Sequence, residues 1–128
     1  NILRQYSPVV EQYSIDEAFV DMTGTEGLWG EPVTAANRIR NQIREELGFT
    51  GVTVTDDLYM DGIRDFVDVE GAAVQAVLAG NDLLCCTDFE VQIPAVLAAV
   101  EQGVVPETRV DEAVRRILTL KQKLGLLG

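Results

Sequence analysis

One stretch, Gly48–Met60 with the sequence GFTGVTVTDDLYM, constrains the fold of this chain more than any other. Gly48 follows an amphipathic segment and is typical of the left-handed residue that ends a helix. The valines and threonines of Val52–Thr55 favour a strand. Asp56 and Asp57 come directly after it, where ligands bind in parallel α/β folds. The stretch therefore predicts a helix-to-strand connection with two carboxylates at the strand end.

The residues before this stretch predict an antiparallel beginning. Strands are predicted at Pro8–Tyr13 and Ile15–Met22, and the short gap between them favours a hairpin. A glycine-rich loop follows at Thr23–Gly30. Pro32 then suits the first turn of a helix, and apolar residues recur at helical spacing up to Gly48.

The residues after it alternate between helix and strand. We expect a helix at Glu70–Ala79, an apolar strand at Leu83–Cys86, a helix at Ile93–Gln102, and a last helix capped by Thr108 and ending at Gly125. The order β-β-α-β-α-β-α-α predicts an α/β fold with an α+β start. We expect about four strands in one mixed sheet covered by helices.

Length and charge narrow the function. The 128 residues predict a single domain over 1–128, and a net charge of −11 argues against a nucleic-acid partner. Cations such as Arg115 and Arg116 lie among acidic residues on helix faces and are interpreted as solvated surface. No apolar run reaches the roughly 20 residues of a membrane span, and no signal peptide is visible. A cytoplasmic protein without a membrane partner is expected.

Two cysteines and the lack of histidine limit the chemistry. Cys85 and Cys86 are adjacent and match no zinc pattern, so they are interpreted as buried thiols in a reducing compartment. No histidine occurs anywhere in the chain. We expect no cofactor.

The first part of the chain, about residues 1–48, resembles the palm of Y-family DNA polymerases of the DNA polymerase IV type. The resemblance is carried by YSPVVEQYSIDEAFVDMTGTEGLWGEPVTAANRIRNQIREELG, and the SIDEAFVD run is its most specific part. It implies that Asp16 and Glu17 correspond to ligands of the catalytic magnesium ions. The family's further aspartate lies on an earlier strand that is absent here, so at most weak Mg²⁺ binding is expected.

The second part, about residues 49–127, resembles the C-terminal two βα units of a family 3 glycoside hydrolase barrel. The nearest type is bacterial β-N-acetylhexosaminidase, and the motifs are GFTGVTVTDDLYMDGI, AVLAGNDLLCC and RVDEAVRRILTLKQKLGL. The resemblance implies that Asp56 corresponds to the nucleophile and Asp57 is its neighbour. The family's histidine-aspartate acid/base pair is absent, so no activity is expected.

The two resemblances meet inside one helix-to-strand connection, with a junction near residues 48–52. Tandem domains normally join at linkers, so this position predicts an artificial chimera of ferredoxin-like and (βα)8-barrel fragments with a new fold and no catalytic activity. Two alternatives stay open: a glycosidase fragment using Asp56, and a magnesium-binding fragment using Asp16 and Glu17. Because the barrel fragment lacks neighbouring strands, a homodimer or domain-swapped oligomer is expected.

Overall fold

The computed structural model describes residues 2–58, 60–65, 67–85 and 88–127. The chain forms two compact units, Asn1–Phe49 and Thr50–Gly128. Their boundary lies between residues 48 and 52, the range of the predicted junction. The single domain expected over residues 1–128 stays a prediction.

The first unit contains a hairpin and two helices. Its elements after a 3₁₀ turn at Leu3–Gln5 are β1 (Val10–Gln12), β2 (Ala18–Val20), α1 (Glu26–Trp29) and α2 (Pro32–Leu47). The strands β1 and β2 pair antiparallel, which confirms the hairpin, although both strands are shorter than expected. The short helix α1 lies within the predicted Thr23–Gly30 loop.

Tyr6 is at the centre of the first unit. Its ring lies 4.7 Å from that of Trp29, and its backbone carbonyl accepts a hydrogen bond of 2.9 Å from the Trp29 indole. Its hydroxyl donates to Gln42 Oε1 on α2 at 2.7 Å. A single buried aromatic residue thus links the N-terminal turn, α1 and α2.

Gly48 ends α2 as its sequence position predicts. Its φ of 61° and ψ of 29° are left-handed, a conformation that costs glycine little because it has no Cβ. Its N–H points to the carbonyls of Arg44 and Glu45, and the Phe49 N–H donates to the Arg44 carbonyl at 2.9 Å. The helix end is therefore closed by local backbone bonds.

The second unit alternates strands and helices. Its elements are β3 (Val54–Asp57), α3 (Asp61–Arg64), α4 (Val69–Leu78), β4 (Leu83–Cys85), α5 (Phe89–Glu101) and α6 (Glu107–Lys123). The strands β3 and β4 run parallel, with Val54 opposite Leu83 and Asp57 opposite Cys85. The register is irregular between these two pairs.

The expected single four-stranded sheet is wrong. In the described part of the chain, β1 pairs with β2 and β3 pairs with β4, giving two sheets of two strands. Strand β3 also begins two residues later than expected, because the Thr53 N–H donates to the side chain of Asp82 and not to a strand ladder. The chain is mixed α/β, and its derivation from ferredoxin-like and barrel fragments stays a prediction.

The helices α4 and α6 lie close to their predicted positions, but two details differ. Thr108 does not cap α6, which begins one residue before it, at Glu107. Helix α5 begins at Phe89, four residues earlier than expected, and contains Pro94. Pro94 lies on an exposed face, where water can bond the carbonyl that the missing N–H leaves free. Thr87 and Glu90 have the spacing of a capping box, but Thr87 is outside the described residues.

The core of the second unit is built on small residues of α4. Ala73 and Ala76 pack with Leu58, and Leu84 of β4 and Val96 of α5 close the cluster. Small side chains allow α4 to approach α5 and the sheet closely. The Cys85 thiol is exposed, so its interpretation as a buried thiol is wrong. Cys86 is outside the described residues.

Asp82 is a fully buried carboxylate that joins α6 to the two strands. Its Oδ1 lies 2.9 Å from Arg109 Nη2 and 2.8 Å from Arg116 Nη2, and its Oδ2 lies 3.0 Å from Arg116 Nε. The Thr53 N–H and hydroxyl each donate to Oδ2 at 3.1 Å. The interpretation of Arg116 as solvated surface is therefore wrong.

These donors control the titration of Asp82. Burial raises the pKa of the carboxyl, but the hydrogen bonds from Arg116, the Thr53 backbone and Arg109 outweigh it and lower the pKa from 3.8 to about 2. The lowered pKa means that the ionised form stabilises the fold. This contribution is present above pH about 4 and is lost as the pH falls towards 2.

Asp82→Asn is expected to lower the free energy of unfolding by about 3 kcal/mol, because it leaves two largely buried guanidinium groups without their counter-charge. Urea unfolding followed by circular dichroism at neutral pH measures this. The substitution is also expected to flatten the acid loss of stability between pH 4 and 2. The exposed Asp56→Asn serves as the control and should stay within about 0.5 kcal/mol of the parent. Equal stability of both variants would contradict this role of Asp82.

Pro94→Ala is expected to raise the free energy of unfolding by about 1 to 3 kcal/mol, because alanine restores the missing N–H inside α5. Thermal and urea unfolding of parent and variant measure the gain. Pro106→Ala is the matched control, since Pro106 precedes α6 and removes no helical hydrogen bond. A gain at position 106 equal to that at 94 would show that helix interruption is not the cause.

Candidate functional site

Asp56 and Asp57, which were expected to follow the strand, lie inside β3. Asp56 is exposed, and its Oδ1 accepts a hydrogen bond of 2.8 Å from the Asp57 N–H. Asp57 is half-buried and lies opposite Cys85 in the parallel pair. The pairing of β3 with β4 is irregular between Val54 and Asp57, so side chains do not alternate regularly between the two faces here.

Exposed apolar residues of the β3–β4 sheet lie near Asp56. Val54 and Leu83 are paired in register and are 54% and 46% exposed, and Cys85 is exposed as well. Leu84, on the opposite face of β4, packs on the core cluster. A solvent-accessible carboxylate on a half-apolar strand surface can accept hydrogen bonds or act as a nucleophile if a second group assists it.

A retaining glycosidase needs a second carboxyl or equivalent group about 5 to 5.5 Å from its nucleophile. Asp57 is half-buried and is the adjacent residue of the same strand. Histidine cannot serve, because the chain contains none. Among the described residues of β3 and β4, Asp57 is the only carboxylate besides Asp56.

Asp16 and Glu17 lie together in the turn between β1 and β2, in the first unit. Both are exposed. The Ser14 hydroxyl donates to Asp16 Oδ1, and this hydrogen bond lowers the pKa of Asp16 below its ordinary value. The Glu17 carbonyl accepts from the N–H groups of Tyr13 and Ser14 at 3.0 and 3.2 Å, which closes the turn. The first and second units thus hold one acidic pair each.

The acidic turn borders a shallow cavity of about 320 Å³ that Arg4 also lines. The Arg4 Nη2 lies 3.5 Å from the Val10 carbonyl oxygen, and a positive charge in this cavity opposes the binding of a divalent cation. Two-metal phosphoryl transfer also needs several carboxylates around ions about 3.5 to 4 Å apart. Within the described residues, no group of three or more histidine, cysteine, aspartate or glutamate side chains could hold a metal ion. Asp16 and Glu17 therefore do not fit a two-metal site.

Sequence patterns did not predict the buried Asp82 carboxylate of the second unit. Asp82 was not singled out, although Arg109 and Arg116 stand seven residues apart, a spacing that places both on one side of a helix. That spacing, beside a lone acid at an apolar strand, could have indicated the pair. Gln92, buried on α5, has no comparable pattern that predicts it.

Comparison with known proteins connects the chain to glycosidases. The model of the glycosyl hydrolase family 3 N-terminal domain matches residues 3–120. A β-N-acetylglucosaminidase/β-glucosidase of Cellulomonas fimi is 34% identical over 95 residues, which cover 73% of the chain and 17% of the relative. A lysosomal β-glucosidase of Dictyostelium discoideum is 37% identical over 99 residues, which cover 74% of the chain and 12% of the relative.

A second group of relatives matches a shorter part of the chain. A DNA polymerase IV of Alkaliphilus oremlandii is 56% identical over 48 residues, which cover 38% of the chain and 12% of the relative. The chain thus spans between 12% and 17% of the length of the three relatives named. Both resemblances identified from the sequence motifs are confirmed.

The two similarities overlap. The polymerase relative covers 38% of the chain and the Cellulomonas glycosidase covers 73%. The two shares add up to 111%, so about 14 residues or more are similar to both groups. The glycosidase similarity also begins before Phe49, because residues 49–128 make up less than 73% of the chain.

In the described part of the chain, no helix is long and apolar enough to cross a membrane.

The amide chemical shifts of Asp16 and Glu17 are expected to be the same in magnesium chloride as in sodium chloride of equal ionic strength. The reason is that the charge of Arg4 opposes the cation and that too few carboxylates converge to bind it. A ¹H–¹⁵N NMR titration to millimolar Mg²⁺ measures this. Asp16→Asn provides the control spectrum. A saturable shift that the parent shows and the variant loses would contradict the expectation.

Proposed function

The chain belongs to glycosyl hydrolase family 3, and we propose that it is an artificially recombined member that folds without the catalytic activity of either parent. The observation that carries this proposal is the isolation of Asp56. Its carboxylate is exposed on β3, the adjacent Asp57 is half-buried, and the chain lacks histidine.

Glycoside hydrolysis explains why this isolation matters. The nucleophile forms a glycosyl-enzyme only if another group protonates the leaving oxygen, and the same group must later activate water. Asp56 alone supplies the first half of this chemistry. A carboxylate open to water also loses the electrostatic strength that an enclosed, water-excluded site provides.

The arrangement of the two similarities supports recombination. The polymerase similarity covers 48 residues, and the glycosidase similarity reaches upstream of Phe49. A segment similar to both parents is a natural place to exchange one sequence for the other, because the local structure is preserved on both sides. We propose that α2, which ends at the Gly48 stop, contains this shared segment.

Residual glycosidase activity is the second candidate function. The exposure of Asp56 favours it, because a sugar could reach the carboxylate. Such activity would need an acid/base group from outside the strand, for example from a second subunit. A polymerase-type function has less support. Arg4 lines the same cavity as Asp16 and Glu17, and a net charge of −11 repels the phosphates of DNA.

The purified chain is expected to hydrolyse a chromogenic β-N-acetylglucosaminide no faster than buffer, because the chain has no histidine and the described residues of β3 and β4 offer Asp56 no other carboxylate than the adjacent Asp57. The assay compares the parent with Asp56→Asn and with the matched control Asp57→Asn, which changes the adjacent carboxylate. A complete family 3 enzyme serves as the positive control.

Turnover by the parent and Asp57→Asn but not by Asp56→Asn would overturn the proposal and establish the glycosidase alternative. Equal turnover by all three proteins would instead indicate a contaminating enzyme. In that case the assay is repeated after further purification, and the same comparison decides.

A further inference from the structure

The β1–β2 hairpin has one face that is exposed along its whole length. The pairing of the strands is regular, and it extends past both strand ends. The Asp21 N–H donates to the Val9 carbonyl at 3.1 Å, and the Tyr13 N–H donates to the Glu17 carbonyl at 3.0 Å. Alternate residues of paired strands share a face. This face, named here the acidic hairpin face, consists of Val9, Glu11, Tyr13, Glu17, Phe19 and Asp21.

Every cross-strand pair on the acidic hairpin face joins an apolar residue to a carboxylate. The pairs are Val9 with Asp21, Phe19 with Glu11, and Tyr13 with Glu17. All six residues are exposed, and the rings of Tyr13 and Phe19 contact each other across the strands with their centroids 5.9 Å apart. None of the six residues is basic. The face is therefore an apolar diagonal bordered by carboxylates.

The outer edge of β2 is available to another strand. Among the residues that the structure describes, β2 pairs with β1 and with no other strand. The backbone bonds of Glu17 and Asp21 are directed to β1, so the N–H and carbonyl groups of the intervening Ala18 and Val20 are directed outwards. Outward backbone groups of this kind are the positions at which an extended peptide adds to a sheet.

The charge of the face selects the chemistry of such a peptide. A face with three carboxylates, in a chain of net charge −11, repels nucleic acids, anionic lipids and a second copy of the chain. It attracts the side chains of lysine and arginine. The acidic hairpin face therefore favours a basic peptide over the other classes of partner.

The spacing along β2 predicts the pattern of residues in that peptide. On the acidic hairpin face, β2 and its extensions present an acid, an aromatic ring and an acid at alternate positions: Glu17, Phe19 and Asp21. Neighbouring strands are stabilised by opposite charges and by apolar side chains that lie opposite each other. A complementary strand therefore carries a basic, an apolar and a basic residue at alternate positions. This order is the same in both chain directions.

We propose that the acidic hairpin face binds an extended basic peptide, which adds to β2 as a third strand. In an antiparallel addition, the Ala18 and Val20 backbone groups bond the peptide backbone. The pairs opposite Glu17, Phe19 and Asp21 then lie between these hydrogen bonds, where Cα atoms are about 4.5 Å apart and side chains meet closely. The backbone bonds supply binding to any extended chain, and the three side chains supply the preference for the basic pattern.

The peptide is expected to bind weakly. Ordering an extended peptide offsets much of the gain from three side-chain pairs, so a dissociation constant of about 1 mM is expected for a short peptide. The charge pairs lie at the surface, and salt therefore weakens the binding.

A ¹H–¹⁵N NMR titration of the full chain tests the proposal. The probe is the acetylated and amidated peptide Thr-Lys-Thr-Leu-Thr-Lys-Thr. The amide signals of Ala18 and Val20 are expected to shift with saturation, and their hydrogen exchange is expected to slow severalfold, because both N–H groups gain acceptors. The matched peptide Thr-Glu-Thr-Leu-Thr-Glu-Thr should leave these signals unchanged. The absence of a saturable shift, or shifts that leave Ala18 and Val20 unaffected, would overturn the proposal.

A charge reversal tests the location. Glu17→Lys is expected to bind the lysine peptide about tenfold more weakly and to gain binding of the glutamate peptide, because it reverses one charge pair. The variant should fold, as circular dichroism will check, since the Glu17 backbone carbonyl accepts the hydrogen bonds that close the turn. Glu101→Lys, at an exposed residue of α5, changes the net charge equally and is the matched control. Equal weakening by both variants would show that net charge alone attracts the peptide and would overturn the proposal.

A change in the peptide tests the apolar contact with the protein left unaltered. Threonine in place of the central leucine is expected to weaken binding severalfold, because the contact with Phe19 is lost. Leucine in place of the first threonine, with the central leucine retained, is the control. Equal affinity with and without the central leucine would contradict the predicted pattern.

Discussion

The Asp82 carboxylate holds the second unit together. It is fully buried, receives charge-assisted hydrogen bonds from Arg109 and Arg116 on α6, and accepts both donors of Thr53 before β3. The Asp82 N–H in turn donates to the Thr53 carbonyl at 2.9 Å. One residue thus sets where both strands begin and how α6 lies against them, which two short strands could not fix alone.

The helices were more predictable than the strands, for a physical reason. The end of α2 at Gly48 depends on a few neighbouring residues, and apolar periodicity reveals α2 and α4 directly. The start of strand β3 depends on Asp82, which is distant in sequence and accepts a hydrogen bond from the Thr53 N–H. The early start of α5 likewise depends on the solvent exposure of Pro94, which the local sequence does not encode. Local residue patterns contain no information about hydrogen bonds between residues distant in sequence or about the solvent exposure of a residue in the folded chain.

The candidate site divides in the same way. The sequence motifs were sufficient to single out Asp56, Asp57, Asp16 and Glu17. They could not show that Arg4 lines the cavity beside the acidic turn, because this depends on how the chain folds back on itself. Gln92 follows from no residue pattern: it is a polar residue on the buried side of α5, and its amide has no hydrogen-bond partner among the described residues.

The local closure of α2 has a consequence for how proteins can be rebuilt. The backbone bonds that end this helix join Arg44, Glu45, Gly48 and Phe49, which are neighbours in sequence. A helix that is ended by its own local backbone bonds does not depend on the structure of the element that follows. Libraries made by exchanging gene fragments should therefore retain more foldable products when crossovers are placed at self-terminating helices than when they cut through paired strands, whose ends depend on distant partners.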